Sequence, residues 1–379
     1  MPKVLVSALF VCLAFPINTT YASRGKLGGR IFGKRVDKLT QKRRPARTAK
    51  TLRGWLSRKR RGLLSKGADR RHLPKLRWQG KRGERSPRAF VLVHGIGESA
   101  HGLAELSRRY SKHGNVLVIT LRGHGINSDH LRGVSRRDWY QDVNEAVLYA
   151  KNHLGQKVSL VGFSLGGVLA ISHQLRALEH GDTARLVDSL ALHSPVLLKD
   201  RGTKHPFSTY IKDASARLQK WQAANPNRNP KDYAGYYVGK NTEYTMKVPV
   251  PLLDELFGIT EDSRAFLDLT RNNSALKKFV EAKTKMAIFM SSRDVKVDVE
   301  GTMEYLNLIG ELGGKTLAYI TNAKMRHEDT VRSSPSKLKI KVDRTLGRKQ
   351  TDIKTTRKGV LGYFVYDFVK FASGDETTP

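Results

Sequence analysis

The chain has 379 residues, a formal net charge of +35 at pH 7 and a single cysteine, Cys12. That length holds one large α/β domain or two ordinary ones, each with a sizeable core. Cys12 falls in an N-terminal leader, so the mature chain carries no thiol, which excludes disulfides, a cysteine nucleophile and thiolate metal sites.

Residues 1–22 read as a cleaved export signal. Lys3 precedes an apolar run from Val4 to Phe15, Pro16 breaks it, and Thr20-Tyr21-Ala22 offers a small residue at the cleavage position. A run of about a dozen apolar residues is too short to span a bilayer, which needs about 20. The expected location is therefore periplasmic or extracellular.

Residues 23–88 form a basic extension. Between Ser23 and Ala89 stand 25 Lys and Arg against 3 acids. Such like charge with few aromatic and β-branched residues predicts disorder. A second reading is a tether to an anionic membrane or lipopolysaccharide surface. Leu52, Trp55, Leu56, Leu63 and Leu64 fall near one helical face, opposite Arg53, Arg58, Lys59, Arg60 and Arg61. Gly54 and Gly62 weaken that helix. Nucleic acid would suit the charge, but paired aromatic platforms and zinc spacing are both missing.

From Arg88 onward β-branched runs alternate with stretches of helical spacing, which predicts a mostly parallel sheet covered by helices on both faces. Strands are expected at Ala89–Val93, Val116–Thr120, Lys157–Val161, Leu186–Leu192, Met286–Met290 and Thr316–Ile320. Helices are expected at Gly102–His113, Arg137–Leu154, Gly166–Glu179 and Val299–Leu312. In the second helix Trp139, Val143, Ala146, Val147 and Ala150 step by three or four and read as core. Residues 195–284 interrupt the alternation and read as a lid over the C-terminal edge of the sheet. Residues 333–358 are rich in Lys and Arg and predict an exposed loop, and Leu361–Phe371 an aromatic closing helix.

Gly162-Phe163-Ser164-Leu165-Gly166 lies between the strand at Lys157–Val161 and the helix at Gly166–Glu179, the setting of a nucleophile elbow. A serine hydroxyl needs a base within reach and a third group to orient that base. His327, the only histidine after His205, is the candidate base. Asp294, just past the strand Met286–Met290, is preferred as the acid over Asp298, which reads as a helix cap. Backbone N–H groups of Leu165 and Ile96 are the expected oxyanion donors, with His94 holding the loop that carries Ile96. No metal site is supported, since His124 with His130 and His173 with His180 both lack one-turn helical spacing.

With Val91-Leu92-Val93-His94-Gly95, Leu121-Arg122-Gly123-His124-Gly125, Asp138-Trp139-Tyr140-Gln141-Asp142-Val143 and Val161-Gly162-Phe163-Ser164-Leu165-Gly166-Gly167, the chain resembles an α/β-hydrolase. Within that superfamily it resembles the bacterial carboxylesterase and monoacylglycerol lipase group. The resemblance implies an α/β-hydrolase fold with an inserted cap, a serine acyl-enzyme, no cofactor, and ester substrates such as monoacylglycerols, lysophospholipids or short acyl esters. The same site could serve a serine aminopeptidase, a thioesterase or an amidase; for an aminopeptidase, Asp254, Glu255, Glu261 and Asp262 are the clustered acids of the lid. A third reading is a binding protein that uses the fold as a scaffold and the basic arm as its working part.

Overall fold

The computed structural model describes residues 54–196, 216–229, 232–233, 236–237, 248–252, 255–256, 258–259, 275–294, 297–321, 325, 327–332, 339–346, 349–356 and 359–375. The leader, the arm up to residue 53 and most of the lid, with Asp254, Glu261 and Asp262, lie outside the described residues.

Among the described residues nine strands form one sheet: β1 (Lys75–Arg77), β2 (Ser86–Val93), β3 (Asn115–Val118), β4 (Gly155–Phe163), β5 (Ser189–His193), β8 (Lys285–Ser291), β9 (Thr316–Thr321), β10 (Lys339–Leu346) and β11 (Lys349–Thr356). Their spatial order is β1-β3-β2-β4-β5-β8-β9-β10-β11. Every pairing from β3 to β9 is parallel, while β1 and the β10–β11 hairpin are antiparallel additions at the two edges. Two short strands in the lid segment, β6 (Tyr236–Tyr237) and β7 (Val248–Pro249), pair with each other.

The period of two along each strand supplies both layers of core. Ala89, Val91 and Val93 of β2 face one cluster and Phe90 and Leu92 the other; in β8, Met286, Ile288 and Met290 oppose Ala287 and Phe289. The first face is covered by α3 (Arg136–His153), α4 (Leu165–Glu179), α5 (Ala275–Glu281) and α6 (Val299–Glu311), and the second by α2 (Ala104–Tyr110) and α7 (Val360–Ser373). Trp139, Val143, Ala146, Val147 and Ala150 of α3 are all fully buried, as their spacing predicts. A capping box starts that helix: Ser135 and Asp138 satisfy each other's backbone N–H groups, donors the first turn leaves without partners.

Three expectations need correction. The second half of residues 23–88 is not a disordered extension, and the domain does not begin at residue 89. Helix α1 (Trp55–Leu64) docks on α3 with Trp55 and Leu56 buried; the indole Nε1–H donates to Glu145 Oε2 at 2.7 Å, and Lys59 pairs with Asp142. The apolar face assigned to a membrane is thus occupied at its start by the protein's own core. Acids from α3, far downstream, answer the basic charge. β1 then adds an edge to the sheet beside β3.

The expected exposed loop at 333–358 is corrected likewise, because its described residues, 339–346 and 349–356, pair as the β10–β11 hairpin. Val342 is fully buried, and Arg344 donates through Nε to Asp367 Oδ2 of α7 at 2.5 Å. Lysines on the outer strand suit an edge, where charge opposes pairing with another chain.

Candidate active site

The chain runs from β2 outward to β3 and then returns to β4 on the other side of β2. This reversal opens a crevice at the C-terminal ends of β2 and β4. The loop carrying Ile96 leaves β2 there and Ser164 leaves β4 there. Asp294 follows β8 and His327 follows β9, at the same sheet edge.

Ser164 has φ 54° and ψ −115°, a conformation an L-residue holds only when its surroundings impose it. Its N–H donates to His193 O at 2.9 Å, and its carbonyl accepts from Gly167 N–H at 3.0 Å. The turn is as tight as its glycines suggest. A Cβ on Gly162 would fall on the carbonyl of Gly166, and one on Gly166 would fall on the carbonyl of Val93. The serine is nearly buried, at 5% exposure.

His327 opens a 3-10 turn over His327–Thr330, and its Nδ1–H donates to Asp294 Oδ2 at 2.6 Å. Its ring packs 4.8 Å, centroid to centroid, from Phe163, the residue before Ser164. With Nδ1 held by the carboxylate, Nε2 is the nitrogen left to exchange a proton. Asp298 instead caps α6, accepting from Gly301 N–H at 2.9 Å, as expected of it.

Leu165 is the first residue of α4, where a backbone N–H has no acceptor inside the helix. Ile96 sits between Gly95 and Gly97, and Gly97 has a φ of 74°. A Cβ on Gly95 would lie 3.1 Å from Ser164 Cβ, so this loop presses on the elbow and a side chain there would push its neighbours back by a few tenths of an ångström. His94 is fully buried; Nδ1–H donates to Gly95 O at 2.7 Å and Nε2 accepts from Leu121 N–H at 3.0 Å. Burial, with His124 beside it, holds its pKa well below the usual histidine value. It therefore stays neutral and structural.

Two residues that sequence reasoning did not single out, Glu98 and His193, support this site. Glu98, 5% exposed, accepts from Gly95 N–H at 3.4 Å and faces Arg332 at 3.8 Å, joining the Ile96 loop to the chain after His327. His193, at the end of β5, donates from Nδ1 to Thr330 O at 2.6 Å. Its only signal in the sequence was a polar residue closing the apolar run Leu190-Ala191-Leu192. Glu255, a candidate amine-binding acid of the lid, instead accepts from Arg136 N–H at 3.1 Å at the start of α3. Among the described residues, no three His, Cys, Asp or Glu are grouped to hold a metal ion. No described helix is long and apolar enough to cross a membrane.

Comparison with known proteins bears on the fold and the family. A protein of Haemophilus influenzae, provisionally described as an esterase/lipase, is 29% identical over 138 residues, 36% of this chain and 45% of that protein. Ethanol acetyltransferase 1 of Cyberlindnera fabianii is 29% identical over 128 residues, 33% of this chain and 37% of the enzyme. The chain thus spans less than half the length of these curated relatives. A soluble variant of monoglyceride lipase from Saccharomyces cerevisiae, solved with a substrate analog, shares the fold. Its TM-score is 0.51 at 13% identity, over 81% of this chain and 92% of that one. The model of the alpha/beta hydrolase family matches residues 90–284, slightly more than half of the sequence and the stretch that carries the Ile96 loop and the elbow, and the chain belongs to that family.

Proposed function

We propose that the protein is a serine hydrolase that cleaves carboxylic esters. The observation that carries this reading is the Asp294–His327 hydrogen bond at the sheet edge where Ser164 is held in a strained elbow. In the reaction His327 Nε2 takes the proton of Ser164 Oγ as the oxygen attacks the ester carbonyl. The negative charge passes to the carbonyl oxygen, facing the N–H groups of Leu165 and Ile96. Collapse of the tetrahedral intermediate breaks the ester bond, and His327 returns its proton to the departing alcohol. Water, deprotonated by the same imidazole, then releases the acid and restores Ser164. Monoacylglycerols, lysophospholipids and short acyl esters are the proposed substrates. An alcohol in place of water would accept the acyl group, the chemistry named for the Cyberlindnera relative.

A fluorophosphonate probe tests the reading. Labelling of the wild type that Ser164→Ala abolishes, with turnover of p-nitrophenyl esters, supports it, and adding ethanol separates hydrolysis from acyl transfer. Folded wild-type protein that neither labels nor turns over esters would refute it.

The proposal includes export, with a signal peptide in residues 1–22. An unprocessed N-terminus in protein recovered from outside the cytoplasm would contradict it. With α1 docked on the domain, the proposed tether to anionic lipid contracts to residues 23–53, which hold 12 Lys and Arg against 1 acid. Deleting 23–53 should remove salt-sensitive binding to anionic vesicles; equal binding without those residues would rule the tether out.

A further inference from the structure

We propose that His193 is a positioning residue that sets the placement of His327 against Ser164, by joining the nucleophile's strand edge to the histidine's loop. The inference rests on the serine-hydrolase reading above. β5 lies between β4 and β8, so its last residue stands between the strand that delivers Ser164 and the one that delivers Asp294. From that place His193 makes two contacts in opposite directions. Its carbonyl accepts the Ser164 N–H at 2.9 Å, and its Nδ1–H donates to Thr330 O at 2.6 Å. Thr330 Oγ1–H in turn donates to His327 O at 3.0 Å. Three hydrogen bonds thus run from the nucleophile's backbone to the backbone of the base.

The loop needs such an anchor because it is short. His327–Thr330 is a single 3-10 turn, too brief to fix its own position through internal hydrogen bonds. Asp294 sets the rotation of the imidazole but not the depth at which the turn sits. His193 and Thr330 are both fully buried, so neither bond has water competing for it.

The chemistry of the ring fits one task. Nδ1 faces a carbonyl and must carry the proton. Among the described residues Nε2 has no hydrogen-bond partner, and the ring lies edge-on to Phe364 at 5.0 Å and Phe289 at 6.1 Å. Burial, partly offset by the bond to Thr330, lowers the pKa to about 4, so at neutral pH the ring holds one proton and uses it on the loop. An aliphatic side chain would fill this aromatic pocket equally well. What it could not supply is the donor.

The test compares His193→Asn with His193→Leu. The two side chains branch alike, but only Asn places an N–H donor at the position of Nδ1. Steady-state ester turnover, thermal midpoints and the low-field proton resonance of His327 Nδ1 would be measured on the full chain. His193→Leu should lower kcat about 10²-fold, the loss that follows a misplacement of roughly 1 Å, with KM within a few-fold of wild type. It should also shift or broaden the His327 resonance. His193→Asn should recover most of the activity and the resonance, even if both variants melt earlier than wild type. Equal impairment in Asn and Leu would reduce His193 to a packing role and overturn the proposal, as would a Leu variant of wild-type kcat and resonance. If wild type has no ester turnover, the functional reading fails, while the resonance still decides the positioning role.

Discussion

Replacing Trp55 by Ala tests whether residues 54–64 belong to the folded domain. Trp55 is 3% exposed, and its ring packs on Tyr149 at 5.4 Å between centroids. An indole buries about 150–250 Å², which at about 25 cal/mol per Å² is worth about 4–6 kcal/mol. Truncation also removes the donor 2.7 Å from Glu145 Oε2, although Gln141 still donates to Oε1 of that carboxylate at 3.0 Å. Large aromatic truncations cost about 3–5 kcal/mol, and we expect this range. At about 2 °C per kcal/mol for a domain of this size, the thermal midpoint should fall by about 6–10 °C. Trp55→Phe keeps part of the ring packing, loses the N–H, and should cost less than Trp55→Ala, about 1–3 kcal/mol. Thermal unfolding of the three proteins reads the midpoints, and limited trypsin digestion reads α1 itself. Cleavage after Arg58, Arg60 or Arg61 should be slow in wild type and rapid in Trp55→Ala. A midpoint within 1 °C of wild type, or rapid wild-type cleavage at those arginines, would refute a docked helix.

Asp294→Asn should leave the fold intact and lower kcat about 10³–10⁴-fold, because the amide can donate to Nδ1 and favours the wrong imidazole tautomer; stopped turnover with an unchanged melting curve is the expected pair of results, and near-wild-type kcat would assign the acid elsewhere. Stability should fall on mild acidification. Burial lowers the pKa of His124 and of His193 from 6.5 to about 4, and drives that of His94 down as well. Below pH 6.5 the unfolded chain takes up protons that the folded chain refuses, so this stability is complete above 6.5 and lost as the pH drops toward 4. For His124 and His193 together the loss is at most about 3 kcal/mol per pH unit. Urea titrations at pH 7.5, 6.5 and 5.5 would show it; equal stability at all three would mean the rings take up protons without cost.

The parallel core and the candidate catalytic residues were legible because both depend on local pattern. The alternation in Phe90-Val91-Leu92-Val93 and Met286-Ala287-Ile288-Phe289-Met290 marks strands buried on both faces. Gly162, Ser164 and Gly166 mark a turn that only that spacing of glycines allows, and the chain order of Ser164, Asp294 and His327 left few alternatives for the base. Two segments were misread because charge hid their pattern. Lys339-Ile340-Lys341-Val342-Asp343-Arg344-Thr345-Leu346 alternates as a strand should, yet its lysines and arginine read as a loop until the sheet edge is seen to receive them. Arg58-Lys59-Arg60-Arg61 read as self-repelling chain because Asp142 and Glu145, which meet this helix, stand more than 80 residues downstream. The role of His193 was hidden for the same reason: its carbonyl and its imidazole act on Ser164 and Thr330, and nothing in one dimension shows that β5 ends between them. Sequence alone determines what repeats along the chain, the periodicity of strands and helices and the spacing of a turn. Which charge meets which partner, and which loop is fixed by which ring, is decided by the order of strands in the sheet.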